Sequence, residues 1–182
     1  MEKNKSRVIY RNPWITVRED DIVHPSGKRG IYGVVEIPPG VFVVAVNVNN
    51  KILLVRQTHY PTGLTSWELP GGGLKPKHTP EEQAEEELIE EANATVSSFK
   101  QIGQTQTQPG VTNQIDYFLF GSNAKILTHK TQALQYEEGI DSAKFFPLQE
   151  IMVMIKKGEI SHGQTITGIT LYLLHKKIKP EV

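Results

Sequence analysis

An α+β fold with a mixed sheet is predicted for this 182-residue chain by three observations. Residues 40–58 hold two apolar, β-branched runs of strand length, a helix-start pattern opens at Thr79, and two stretches of helical apolar spacing close the chain. A chain of this length forms one compact domain, with room for a small appended element. Pro38, Pro39 and Gly40 supply the interruption between the two, dividing a strand-rich N-terminal element, residues 1–39, from a main domain, residues 40–182.

Within the N-terminal element, "WITVRED" alternates apolar and polar residues from Trp14. "HPSGKRG" carries turn residues, and "IYGVVEI" returns to strand-like content, so antiparallel strands joined by turns are expected. In the main domain, "VFVVAVNV" and "KILLVRQTHY" flank Asn49 and Asn50, the signature of a hairpin with a tight turn. "SSFKQIGQTQT", "QIDYFLFGS" and "DSAKFFP" are further strand candidates. Residues 147–157 place Leu148, Ile151, Met152 and Ile155 at helical spacing, and residues 164–177 do the same with Ile166, Ile169, Leu173 and Leu174.

Composition narrows the function classes. The formal net charge is zero, which argues against a nucleic-acid partner held on a broad basic surface. With no cysteine there is no disulfide scaffold, thiolate zinc site or cysteine nucleophile. No apolar run approaches the ~18 residues of a bilayer span, and residues 1–7 lack a signal-peptide pattern. A cytoplasmic protein without a membrane partner is expected. Serines and histidines are scattered, with no local context for a nucleophilic triad.

The segment "GGGLKPKHTPEEQAEEELIEEANATV" holds seven glutamates between positions 81 and 91, and no lysine or arginine lies among residues 78–99. Thr79 is a good N-cap, Pro80 suits the first helical position, and Glu82 completes a capping box. Ala84, Leu88 and Ala92 form a narrow apolar stripe, and Asn93 suits a left-handed C-terminal cap, so the helix spans residues 80–92. Glu87, Glu90 and Glu91 stand at i, i+3 and i+4, where their carboxylates can converge beside that stripe. A solvated acidic face and a hard-cation site are both compatible with the pattern. Against the first, Glu82, Glu86 and Glu90 repel in series by ~0.2–0.5 kcal/mol per pair, and Glu90 and Glu91 sit at the negative end of the helix dipole. Oxygen ligands select Mg²⁺, Mn²⁺ or Ca²⁺. Upstream, Gly71, Gly72 and Gly73 offer backbone without side chains, either as a simple turn or as an approach to an ion.

These residues resemble the Nudix box, whose pattern is Gly, five residues, Glu, seven residues, Arg-Glu-apolar-any-Glu-Glu, any, Gly. With Gly72 as the first glycine, Glu87, Leu88, Glu90 and Glu91 fall in register. Outside the box, "NPWITVREDDIVHPSGKRGIYGVVEI", "LLVRQTHYPTGLTSWELPGG", "QPGVTNQIDYFLF" and "ISHGQTITGITLYLL" look like the ADP-ribose pyrophosphatase branch of Nudix hydrolases. Three positions depart from the box: His78 replaces its first glutamate, Glu86 its arginine and Asn93 its last glycine. The first two commonly pair in the family, and here a histidine–glutamate contact of exchanged polarity could take their place.

The resemblance implies an α/β/α sandwich behind the N-terminal element, and Mg²⁺-dependent (alternatively Mn²⁺-dependent) hydrolysis of a nucleoside diphosphate linked to another group. ADP-ribose giving AMP and ribose 5-phosphate is the expected reaction. The Gly71 carbonyl, Glu87 and Glu91 are the expected metal ligands, with Glu90 next. Glu138, then Glu137, is the expected general base. Arg56 and Glu68 match polar substrate-contact positions, and His59 stands where relatives often carry an arginine. Trp14, Tyr32 and Trp67 are candidates for stacking a base, with core packing the favoured reading, and His162 reads as a cap or loop residue. Relatives in this branch often dimerise through the N-terminal element, which implies a homodimer. A catalytically weakened nucleotide-binding module and a hydrolase of another nucleoside diphosphate sugar are the alternatives.

Overall fold

The computed structural model describes residues 1–127 and 139–178. Contacts divide the chain into two compact units, one of residues 1–40 with 105–116 and one of residues 41–104 with 117–182. In the first, β1 (Glu2–Arg11), β2 (Thr16–Val23) and β3 (Arg29–Glu36) form an antiparallel sheet in that order. Gly27, at φ +81°, closes the β2–β3 turn by donating its N–H to the His24 carbonyl at 2.8 Å. β1 escapes the sequence pattern because every one of its residues is exposed, leaving no alternation to read. Segment 105–116 joins this unit through the Val35–Thr112 bridge and a hydrogen bond from the Tyr32 hydroxyl to the Gly110 carbonyl at 2.8 Å.

The second unit is built on β4 (Gly40–Val46) and β5 (Lys51–Thr58), followed by β6 (Thr65–Glu68), β7 (Gly71–Gly73), α1 (Pro80–Ala92), β8 (Ala94–Thr95) and β9 (Ser98–Gln106). β10 (Ile115–Ser122), β11 (Lys125–Ile126), β12 (Ile140–Pro147), α2 (Leu148–Lys157) and α3 (Gly163–Lys176) complete it. The main sheet runs β12-β5-β4-β10-β9, with β6 on β5 and β7 on β4. A two-residue period explains the layers. Val41, Val43 and Ala45 of β4, with Leu53 and Val55 of β5, pack with Ala84, Leu88 and Ala92 of α1. The intervening Val44, Val46, Ile52 and Leu54 pack with Ile151 and Met154 of α2 and Ile169 and Leu173 of α3. Both faces being buried, the strands read as continuous apolar runs. The α+β expectation, with helices on both sides of a mixed sheet, is met.

Local chemistry sets the boundaries. Thr79 accepts from the Glu82 N–H, the Glu82 side chain accepts from the Thr79 N–H, and Asn93 ends α1 at φ 47° in the left-handed region. The β4–β5 connection is longer than the tight turn expected at Asn49 and Asn50. It occupies residues 47–50 because the Asn47 carboxamide accepts from the backbone N–H groups of both Asn49 and Lys51. Among the described residues, no helix is long and apolar enough to cross a membrane. Thr79→Ala removes the reciprocal cap and is expected to cost about 1 kcal/mol, lowering Tm by roughly 2–4 °C. Thermal unfolding followed by circular dichroism checks this.

Candidate active site

α1 carries its acidic face into the interior because of the stripe beside it. Ala84 and Leu88 are fully buried and Ala92 nearly so, packed with the apolar residues of β4 and β5. Glu87 and Glu91 each precede a stripe residue and are buried with it, at 6% and 3% exposure. Glu90 is only partly buried.

The glycine segment lies against these carboxylates. The Gly71 N–H donates to Glu91 Oε2 at 2.8 Å. A Cβ on Gly72 would lie 2.3 Å from Glu87 Oε1, and one on Gly71 would lie 2.3 Å from the Val41 carbonyl oxygen. Gly71 has no room for a side chain, and one on Gly72 would displace the Glu87 carboxylate. Gln83, fully buried, ties the loop to the helix: its Nε2 donates to Glu87 Oε1 at 2.8 Å, and its Oε1 accepts from the Lys75 N–H at 2.9 Å. The ligand-capable atoms are carboxylate and carbonyl oxygens next to a backbone with no side chains. Such a set fits a hard divalent cation and does not favour zinc.

Glu86 is where the loop grips α1. Lys75 Nζ stands 2.7 Å from Glu86 Oε2, and His78 Nδ1 stands 3.7 Å from the same oxygen. The contact expected between His78 and Glu86 is therefore present, and the shorter partner, Lys75, is one the sequence reading overlooked. Hydrogen bonding to Glu86 holds the Lys75 ammonium above its ordinary range.

A second group of titratable residues gathers where β5, β6 and the start of α3 meet. His59 Nε2 lies 2.9 and 2.8 Å from the two Glu68 oxygens, and His162 Nδ1 lies 3.2 Å from Glu68 Oε2. Glu68 is 2% exposed, and burial raises its carboxyl pKa. It is no surface carboxylate. Burial, with a smaller push from His59, lowers His162 to about 4, so the imidazole is neutral at pH 7. His162 caps the start of α3 in backbone terms, but its side chain bonds to Glu68 and Thr165. A cavity of about 350 Å³ opens here, lined by His59, Thr62, Leu64, Ser66, Glu68 and His162 among others.

Arg56, on β5, pairs with Asp141 of β12. Trp67 packs edge-on against Phe146 with centroids 4.7 Å apart, as a core aromatic should. Trp14 does not: it is 74% exposed, which corrects the core reading for that residue. Tyr32 is partly exposed, with its hydroxyl on the Gly110 carbonyl. Glu137 and Glu138 lie outside the described residues.

Comparison with known proteins gives concordant results. A NUDIX domain model matches residues 36–168, and a model of the nucleoside diphosphate sugar hydrolase N-terminal domain matches residues 1–35. An ADP-ribose pyrophosphatase from Bacillus subtilis (strain 168) is 25% identical over 173 residues, covering 95% of this chain and 92% of the relative. A methanol dehydrogenase activator from Bacillus methanolicus is 27% identical over 177 residues, covering 96% and 94%. The crystal structure of an ADP compounds hydrolase superposes with a TM-score of 0.82 at 16% identity, over 100% of this chain and 96% of that one. At that identity the superposition speaks for the fold.

The depressed His162 makes a testable contribution to stability. The unfolded chain takes up this proton near pH ~6.5 and the folded chain only near about 4. The stabilisation is therefore complete above the unfolded value and is lost as pH falls between the two, by on the order of 3 kcal/mol. The raised Glu68 carboxyl works in the opposite sense and offsets part of this loss. Urea unfolding at pH 7, 5.5 and 4.5 should show a steeper loss for the natural protein than for His162→Asn.

Proposed function

The chain belongs to the Nudix family, and from that premise we propose that it cleaves the diphosphate of a nucleoside diphosphate joined to a second group, with ADP-ribose, yielding AMP and ribose 5-phosphate, as the substrate. It is a Nudix hydrolase of the ADP-ribose pyrophosphatase kind. The observation that carries the reaction is the burial of Glu87 and Glu91 against the side-chain-free Gly71–Gly73 backbone. Nudix hydrolases generally need divalent metal ions. The Gly71 carbonyl, Glu87 and Glu91 would hold the ion here, with Glu90, closer to solvent, available for a second. Mg²⁺, or Mn²⁺ in its place, supplies neutralisation of the diphosphate charge and a lower pKa for the attacking water.

The chain's own residues supply position. Gln83 and the Gly71 N–H fix one oxygen on each buried carboxylate, which limits rotation of both groups. The Lys75–Glu86–His78 contacts keep the loop seated on α1. Glu138, or Glu137 beside it, is proposed to take the proton from water as it adds to phosphorus, while the bond to the bridging oxygen breaks. Arg56, Glu68 and His59 are proposed to contact the substrate, the last two from the 350 Å³ cavity. The nucleoside diphosphate sugar hydrolase description of the N-terminal match favours this substrate class over nucleoside triphosphates.

The strand-rich residues 1–39 are proposed to form a dimerisation element, and residues 40–182 the catalytic domain. β1 is exposed along its whole length, and it leaves Val8, Ile9 and Tyr10 uncovered, as β3 leaves Ile31. A second copy of the chain would remove this apolar surface from water. A cytoplasmic location, expected from the cysteine-free composition, belongs to the same reading.

Activity and metal binding separate the hydrolase from a silent nucleotide-binding module. With Mg²⁺, a panel of ADP-ribose, other nucleoside diphosphate sugars and nucleoside triphosphates should show ADP-ribose cleaved fastest, and Glu91→Gln should lose at least about 100-fold in rate, as expected when one metal ligand is removed. Mg²⁺ should raise the Tm of the natural protein and leave that of Glu87→Gln/Glu91→Gln unmoved. Cleavage of nothing in the panel by folded protein would leave the binding module standing. For the dimer, light scattering should give twice the 20.4 kDa chain mass, falling to one chain mass in Ile9→Lys/Ile31→Lys.

A further inference from the structure

We propose that His59, Glu68 and His162 form a second divalent-cation site, suited to Zn²⁺ and similar borderline ions, which shares no residue with the carboxylates of α1. Among the described residues, theirs is the one group of three histidine, cysteine, aspartate or glutamate side chains whose ligand atoms all lie within 4.8 Å of one another. Residues from three separate parts of the chain meet there: the end of β5, the end of β6 and the start of α3.

The spacing is that of a coordination shell. Donors bound at ~2.0–2.1 Å around a tetrahedral ion stand ~3.3 Å apart. Here the nitrogen-to-oxygen separations are 2.8 Å for His59 Nε2 and 3.2 Å for His162 Nδ1 to Glu68 Oε2. On the Glu68 side an ion needs the side chains to part by only about half an ångström or less, and all three ligand atoms lie within 4.8 Å of one another. The imidazole centroids are 5.6 Å apart with the rings tilted by 37°, and one nitrogen of each ring stands beside the same oxygen, Glu68 Oε2.

Donor chemistry distinguishes this site from the first. Two imidazoles and one carboxylate suit Zn²⁺, Co²⁺ or Ni²⁺, whereas an all-oxygen set suits Mg²⁺. Three protein ligands also leave a position open, and the cavity lined by Thr62, Ser66 and Ser161 faces the same group. An oxygen of an anionic ligand can occupy it.

The neighbouring hydrogen bonds are consistent with that arrangement. The Thr165 hydroxyl accepts from the Leu69 N–H at 2.8 Å and lies 3.1 Å from His162 Nδ1, holding the ring against Glu68. Ion binding exchanges the hydrogen bonds at His59 Nε2 and His162 Nδ1 for coordinate bonds. The carboxylate is already buried and needs no new desolvation. The inference does not depend on which substrate the hydrolase cleaves.

The test uses the full chain freed of metal by chelator, titrated with Zn²⁺ in a calorimeter and with Co²⁺ in a visible spectrometer. One Zn²⁺ is expected to bind, and to bind equally in Glu87→Gln/Glu91→Gln. His59→Ala and His162→Gln should each weaken it by more than the ~10–100-fold cost of losing an outer-shell partner, with parallel loss of the Co²⁺ absorption. Because substitution at the partly buried His162 can impair folding, histidine ring signals of the natural protein are followed by NMR as Zn²⁺ is added. Those of His59 and His162 should move together at one equivalent. Zn²⁺ binding that disappears with Glu87 and Glu91 and survives His59→Ala would overturn the proposal, as would His59 and His162 signals that Zn²⁺ leaves unmoved.

Discussion

The close seating of α1 on the sheet is the constraint from which the candidate site follows. Ala84, Leu88 and Ala92 are buried against β4 and β5, and the residues one position before Leu88 and Ala92 are carried inward with them. Those residues are Glu87 and Glu91. They cannot move to solvent without unpacking the stripe, so their charge must be met where they are. The Gly71 N–H meets it at Glu91, and Gly72 lies so close to the Glu87 carboxylate that a Cβ there would displace it. One packing decision thus fixes the helix, the loop conformation and the chemistry between them.

The loop before α1 is held at several points, and their arrangement explains how the chain departs from the Nudix pattern without losing the contact. The family's pairing has an acid on the loop and a base on the helix. Here the acid, Glu86, is on the helix, and the bases, Lys75 and His78, are on the loop. Attraction between the Lys75 ammonium and the Glu86 carboxylate does not depend on which side of the contact carries which sign. At this partly exposed position its energy is modest, and its main effect is orientation. The Gln83 carboxamide and the Thr79 cap act on the same loop from the interior and from the helix end.

The gathering of His59, Glu68 and His162 has a different origin. β5 and β6 are antiparallel neighbours, with Val55 opposite Glu68 and the His59 N–H donating to the Leu64 carbonyl, and the His59 side chain reaches back along β6 to the Glu68 carboxyl. His162 arrives from almost a hundred residues further on because α3 begins there, and the Thr165 hydroxyl joins that start to the Leu69 backbone. Burial then tunes the group, raising the carboxyl and lowering the imidazole.

The sequence by itself determined what depends on neighbours along the chain. The α1 boundaries, its capping box and its left-handed Asn93 were legible because caps are local hydrogen bonds among residues three or four apart. The two-sided burial of β4 and β5 was legible in uninterrupted apolar runs. The alignment of Glu87 with the Nudix pattern was legible because it rests on spacing alone. β1 was not, since a strand exposed at every position leaves no periodicity. Nor was the Lys75–Glu86 contact, where a loop folds back on a helix, nor the exposure of Trp14, whose residue type favours burial in most folds. Only the tertiary structure could make Glu68 a buried acid and His162 its partner. Their proximity is created by strand pairing and helix placement, and a linear order of residues carries no distance between segments that meet only when the core closes.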